Sequence, residues 1–318
     1  MKVVVGFIVY KDTSLKYLEH FLPSLKQALT FLESTNYQVM AFDNSPNEDN
    51  RNRLALEYFH HKHKWPINYY ATGQNIGFGS AYNLMIEKSL KLGAQYFFVI
   101  NPDTLLEPDV IKKLIMACDK DSSIGAASPK VMRWDFPNLN KTKQIDSCGL
   151  QKKSGLIFYD LGQGEIDAGQ YDQAEIIAPS GAAGLFKLEF LKKIRDKHGY
   201  YDSRFFMYKE DCDLAYRFKL ANFKSILAPG AILYHDRTMA LYNSSWHSFL
   251  KNRRNLSKNT RAWSFRNQHL LFIKYFLKET TWSKVLIIRR VIVLLFFSLI
   301  LEQFNLKEYF KIFKLLKT

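Results

Sequence analysis

The chain has 318 residues, 47% of them hydrophobic and 15% aromatic with 24% charged, enough apolar side chain for a large packed core and too much for a disordered chain. Its 15 glycines and 9 prolines are too few for a collagen-like or low-complexity chain, and three cysteines (Cys118, Cys148, Cys212) without paired spacing exclude a disulfide scaffold and predict reduced thiols in a cytosolic compartment. The net charge of +15 is concentrated: residues 237–318 carry 16 Lys/Arg against 3 Asp/Glu, while residues 1–236 carry 29 against 27, so a nearly neutral body precedes a basic tail and nucleic acid is not an expected partner.

Val3–Tyr10 predicts a buried strand, being too short for a secretory signal and lacking a small-residue cleavage site. Apolar residues from Leu15 to Leu32 recur at helical steps, and Tyr37–Phe42 predicts a second strand ending in the turn-forming Asp43-Asn44-Ser45-Pro46. A helix around 47–63, a strand at 67–71, a glycine-bearing loop, a helix around 80–92 and the strand Tyr96–Ile100 continue the alternation. Such alternation predicts an α/β fold with a mostly parallel sheet and helices on both faces. Residues 132–178 lose the pattern and predict hairpins or loops. Ala182–Lys187 as a strand, helices near 188–196 and 209–221, and two short strands at Ser225–Ala228 and Ile232–Tyr234 then close a body of residues 1–236. Ligands of such sheets bind beyond the carboxyl ends of the strands, where Asp43-Asn44 and Asn101–Thr104 fall.

Four clusters carry candidate chemistry. Asn75-Ile76-Gly77-Phe78-Gly79, leading to Asn83, opens a helix; its glycines fit either an anion held by backbone N–H groups or plain turn geometry. Asp103, at a strand end, is either a ligand for Mg²⁺ or Mn²⁺ or the cap of the following helix. Glu210, Asp211 and Asp213 at a helix start complement the helix dipole, and adjacent carboxylates also suit a general base. His235, after the last strand, is either a hydrogen-bonding partner or a metal ligand beside Asp103.

In this order the motifs resemble the inverting nucleotide-sugar transferases of glycosyltransferase family 2, with a GT-A fold, and most closely its rhamnosyltransferase-like branch, over roughly residues 3–270. The resemblance implies a donor-binding half at about 1–131 and an acceptor-binding half at about 132–236. It assigns Val9, Tyr10, Asp43, Asn44, Asn75, Gly77, Gly79, Asn83, Asn101, Asp103 and Arg266 to the donor. Asn101-Pro102-Asp103 stands where many members have D-x-D. Ser180, Gly181, Ala182 and Ala183 are assigned to the acceptor, with tight strand packing as the other reading of these small residues. Asp211 of the Glu210-Asp211 pair is the implied general base, Asp103 and His235 the metal ligands, and Mg²⁺ or Mn²⁺ the cofactor. Arg266-Asn267 resembles a pair at a helix start.

The tail predicts helices. Val291–Leu301 is an 11-residue apolar run, well short of the roughly 20 residues that cross a bilayer. Lys307, Lys311, Lys314 and Lys317 beside Leu306, Phe310, Phe313 and Leu316 give a basic amphipathic helix that either lies on an anionic membrane or packs on the body. The expectation is a peripheral enzyme on the cytoplasmic face of the cell membrane, using a nucleotide-sugar donor and a saccharide or lipid-linked acceptor, with a homodimer allowed. A nucleotidyltransferase on a similar sheet and a non-catalytic membrane or nucleic-acid module are the competing readings.

Overall fold

The computed structural model describes residues 2–33, 36–47, 49–237, 253 and 255–316. The strands β1 (Val3–Val9), β2 (Tyr37–Asp43), β3 (Asn68–Ala71) and β4 (Tyr96–Ile100) are joined by α1 (Lys11–Leu29), α2 (Arg51–His63) and α3 (Phe78–Lys91). They form a parallel block in the order β4-β1-β2-β3. Side chains of a strand alternate between faces, and β4 shows the result: Tyr96, Phe98 and Ile100 enter the core under α1 and α4 (Val110–Asp119), while Phe97 and Val99 enter the core under α3.

Beyond β4 the sheet continues through β11 (Ala183–Lys187), antiparallel to β4 and to β6 (Ile124–Asp135), and then through β12 (Lys224–His235), parallel to β6. The two strands expected on either side of Pro229-Gly230 are both part of β12. The structure has one strand with a register shift between Ala228 and Ile232, so pairing with β6 resumes after the irregularity. A second difference concerns Asp103. It does not cap a helix, because the short β5 (Thr104–Leu106) intervenes, pairs with β12, and delays α4 to Val110. The expected hairpins in 132–178 are β6 with β7 (Asn140–Ser147) and β8 (Leu150–Lys153) with β9 (Ile157–Asp160); β10 (Glu175–Ile176) edges the sheet against β12.

Helices α5 (Leu188–Ile194) and α6 (Glu210–Leu220) cover the α3 face of the sheet. The tail folds as α7 (Lys258–Tyr275), α8 (Thr281–Ile300) and α9 (Leu306–Leu316). Ser257 and Thr280 cap α7 and α8 by accepting N–H groups of Thr260 and Ser283. These helices share a third core with Leu156, Phe205 and Tyr216. Residues 238–252 and Lys317 of the expected basic tail lie outside the described residues. Among the described residues no helix is long and apolar enough to cross a membrane.

Candidate active site

The carboxyl end of β4 is linked to the start of α6 through the residues that lead into β11. Asn101 N–H donates to Ala182 O at 2.9 Å, and Gly181 N–H donates to Asp211 Oδ2 at 3.1 Å, so two adjacent residues tie the Asn101–Asp103 turn to the acid pair of α6. Buried Tyr82 donates to Ile100 O at 3.1 Å between them; burial first, then the charges of Asp103 and Glu210, raise its pKa. A Cβ at Gly181 would sit 3.1 Å from Asp211 Oδ2, so a larger residue would push the carboxylate aside by a few tenths of an ångström.

Asp211 is partly exposed and also accepts Cys212 N–H at 2.8 Å. Glu210 is 5% exposed, and its Oε2 is buried with no hydrogen-bond partner among the described residues. Burial, reinforced by the neighbouring Asp211, pushes the Glu210 carboxyl up to about 8, so it is mostly neutral at pH 7. The segment before the pair is strained: Phe206, Tyr208 and Lys209 have φ of 62°, 72° and 68°, left-handed values unusual for non-glycine residues.

Helix α7 holds that segment. The fully buried Asn267 amide donates to the carbonyls of Phe205, Met207 and Tyr208 at 2.7–2.8 Å, and Arg266 Nη2 donates to Phe205 O at 2.9 Å. Arg266 and Asn267 therefore lie in the middle of a helix, not at its start, and the Arg266 guanidinium is 8% exposed and engaged with Asn267 and the loop. In this structure Arg266 supports the loop. Lys274 of α7 adds ion pairs of 2.8 Å to each of the buried Asp202 and Asp213.

At the other side of the mouth, Asp103 Oδ2 is 3.4 Å from His235 Nε2, and Asp103 Oδ1 is buried without a hydrogen-bond partner among the described residues. The opposite imidazole nitrogen, His235 Nδ1, faces Asp146 Oδ2 at 2.8 Å, and Arg237 joins Asp146 to Asp160 with contacts of 2.7 Å each. Burial alone lowers the His235 pKa, but Asp103 and Asp146 outweigh it and push it up to about 10, so ligation at Nε2 requires release of a proton. An unpartnered carboxylate oxygen, an imidazole nitrogen and an orienting carboxylate behind it are donor types that fit a divalent cation. Among the described residues no group of three or more His, Cys, Asp or Glu forms a complete cage. Asp146, in the irregular 132–178 stretch, was missed by sequence reasoning because nothing in its spacing marks it.

The remaining expected donor residues sit close by, mostly with their polar atoms engaged. Val9, fully buried, accepts Asn44 N–H through its carbonyl, and Tyr10 precedes α1 partly exposed. Asp43, 1% exposed, bonds Ser45 N–H and the Tyr69 hydroxyl. Asn44 bridges to Gly77 O and Ile76 N–H, and Asn75 Oδ1 accepts Gly77 N–H at 2.9 Å. Gly77 and Gly79 are explained by close packing rather than by an anion: a Cβ on Gly77 (φ 84°) would lie 2.4 Å from Phe206 O, one on Gly79 3.0 Å from Tyr201 Cβ, and Phe78 N–H already donates to Phe206 O. Both amide atoms of Asn83 are bonded to the Tyr201 backbone. In the acceptor segment Ser180, Ala182 and Ala183 are buried, and Gly181 alone of the four is partly exposed.

Residues 5–194 match glycosyl transferase family 2. The N-acetylglucosaminyl-diphospho-decaprenol L-rhamnosyltransferases of two Mycobacterium tuberculosis strains, CDC 1551 / Oshkosh and ATCC 25618 / H37Rv, are each 24% identical over 258 residues, covering 74% of this chain and 80% of theirs. Similar solved structures include GalNAc-T7 with UDP, GalNAc and Mn²⁺ (TM-score 0.54, 14% identity), where 74% of this chain covers only 44% of that one. They also include the mannosyltransferase PcManGT from Pyrobaculum calidifontis with GDP-Man and Mn²⁺ (TM-score 0.51, 12% identity, 96% of this chain and 85% of that one). A third is S. aureus TarS 1-349 (TM-score 0.50, 16% identity, 90% and 77%). With the family match spanning more than half of its length and the same α/β architecture in these structures, the chain belongs to glycosyl transferase family 2 and is a glycosyltransferase of the GT-A type.

Proposed function

We propose that this glycosyltransferase inverts configuration as it moves a sugar, L-rhamnose from dTDP-L-rhamnose as the first choice, from a nucleoside diphosphate to a hydroxyl of a saccharide or lipid-linked acceptor in cell-surface polysaccharide synthesis. The observation that carries the reading is the pair of links Asn101–Ala182 and Gly181–Asp211, which bring a metal-competent carboxylate and a partly exposed carboxylate to one mouth. The mycobacterial relatives being L-rhamnosyltransferases supports the choice of rhamnose, and three buried free thiols support a reducing, cytoplasmic setting.

In this mechanism Asp211 accepts the acceptor hydroxyl proton as that oxygen attacks the anomeric carbon from the face opposite the leaving diphosphate. Gly181 N–H and Cys212 N–H each hold one Asp211 oxygen and fix the carboxylate's direction, while further lone pairs stay open. Glu210, held neutral, keeps a second negative charge away from the attacking oxygen. Asp103 and His235 would hold Mg²⁺ or Mn²⁺, which when bound neutralises the charge that develops on the diphosphate. Asp146 orients His235 for that task.

The test is Asp211→Asn across a donor panel scored by nucleoside diphosphate release. Loss of the base lowers transfer by about a hundred- to ten-thousand-fold while nucleotide binding persists. Wild-type turnover in the variant, or no release from any nucleotide sugar by the wild type, overturns the reading.

A further inference from the structure

Helix α8 has two faces of different kinds. Ser283, Ile287 and Ser298 are buried against the body, whereas Trp282, Val285, Ile288, Ile292, Phe296 and Leu299 point outward, with Trp282 64% and Phe296 58% exposed. On α9, Phe310 and Phe313 are 75% and 66% exposed beside the exposed Lys307, Lys311 and Lys314. Large apolar side chains left in water at helical spacing on two successive helices mark a surface that another phase or molecule covers.

The charges say which. Residues 237–318 contain three acids, Glu279, Glu302 and Glu308. All three are turned inward: Glu279 pairs with Lys152 (5% side-chain exposure), Glu302 with Arg253 and Arg261 (3%), and Glu308 with Lys311 (4%). The outward surface of α8 and α9 is thus apolar with cations, including the exposed Arg289, Lys307 and Lys314, and without a solvent-facing carboxylate. A second copy of the same face would bring like charges together, and a nucleic acid offers no apolar counterpart to Phe296 or Phe313. A bilayer interface with anionic headgroups satisfies both halves at once.

The face is also fixed relative to the site. Ser283 Oγ accepts Gly155 N–H at 2.8 Å from the β8–β9 hairpin, Lys152 on β8 pairs with Glu279 at 2.7 Å, and Glu279 accepts the hydroxyl of Tyr216 on α6, the helix that begins with Glu210-Asp211. We infer that the outward face of α8 together with α9 is the docking surface of this enzyme for an anionic lipid bilayer, lying in the plane of the interface and holding the acid pair at a set position above it. The inference rests on the transferase reading only for its purpose, presentation of a lipid-carried acceptor; the surface itself stands on burial and charge.

The experiment is co-sedimentation of the full chain with vesicles of phosphatidylcholine alone and of an equimolar phosphatidylcholine–phosphatidylglycerol mixture. Two double variants accompany the wild type: Ile292→Glu with Phe296→Glu, and Lys307→Glu with Lys314→Glu. All four positions are exposed, and a thermal melt verifies that each variant is folded. The wild type is expected to sediment with the anionic vesicles. The apolar variant loses about tenfold or more of that partition, and the lysine variant loses the advantage of anionic over neutral vesicles. A wild type that stays in the supernatant, or an apolar variant that partitions unchanged, overturns the inference. A wild-type dimer in light scattering that the apolar variant dissolves overturns it in favour of a second copy. Nucleoside diphosphate binding measured by calorimetry without lipid separates the two ideas: binding intact while docking fails sinks only the docking surface, and loss of nucleotide binding sinks the transferase reading instead.

Discussion

Replacing Asn267 by alanine tests how the acid pair is held in place. The amide nitrogen of Asn267 reaches three carbonyls of the 205–208 segment, all within 2.8 Å, from a fully buried position. Its two protons cover those three acceptors, and their loss leaves buried carbonyls unsatisfied at a cost of about 2–4 kcal/mol in folding stability. The same segment stores strain at Phe206, Tyr208 and Lys209, about 3–9 kcal/mol in all, so the strain is at least as large as the clamp that opposes it. Without the amide the segment relaxes, the start of α6 shifts, and Asp211 loses its distance to Gly181. A displacement of about 1 Å lowers turnover about a hundredfold. Asn267→Ala should therefore melt earlier and lose kcat while the donor KM changes little, because no donor contact is removed. Asn267→Asp, which keeps an acceptor for Arg266 but has no N–H, should be no better. An Asn267→Ala protein that melts earlier yet turns over at the wild-type rate would show that the clamp serves stability alone and would refute this reasoning.

Two further outcomes are expected. Glu210 binds its proton up to about pH 8 when folded against an ordinary value of 4.5, so the native state holds the extra proton between these values and stability falls as pH rises through that window. Glu210→Gln is free of this penalty, and its melting temperature relative to wild type should climb from about pH 5 to about pH 9; a constant difference would contradict a buried neutral carboxyl. Asp146→Ala should weaken Mn²⁺ binding about 10- to 100-fold, read by titration of the free ion's paramagnetic resonance signal with Asp103→Ala as the reference for loss of a ligand. Unchanged affinity would remove Asp146 from the support of His235.

Much of this molecule was legible in the chain because two periods dominate it. The alternation in β1 and β4, buried on both faces, and the three- and four-residue steps of α1 gave elements close to those observed. Asp103 and His235 stand out in the chain as polar residues at the ends of apolar strands, and Glu210-Asp211 as an acid pair at a helix start. What stayed hidden depended on residues brought together from far apart. Asp146 lies 89 residues from the histidine it faces. Asn267 lies 60 residues from the Met207 carbonyl it holds. Gly77 and Gly79 did signal a close approach, but the approaching group is the backbone near Phe206 and the Tyr201 side chain, and spacing cannot tell these from a phosphate. Pro229-Gly230 reads as a strand end in any single sequence, and only the partner β6 shows the pairing resuming.

The grip of α7 on the 205–208 segment also changes what counts as the smallest working piece of this enzyme. The family match stops at residue 194, before both the acid pair and the helix that steadies it. A protein engineer trimming the gene at the end of β12 would keep every strand of the sheet and still discard Arg266, Asn267 and Lys274, leaving the Glu210-Asp211 pair on a spring with nothing to hold it compressed. Exchanging modules between relatives would have to carry α7 along with the 205–208 segment and α6, because they are one mechanical part.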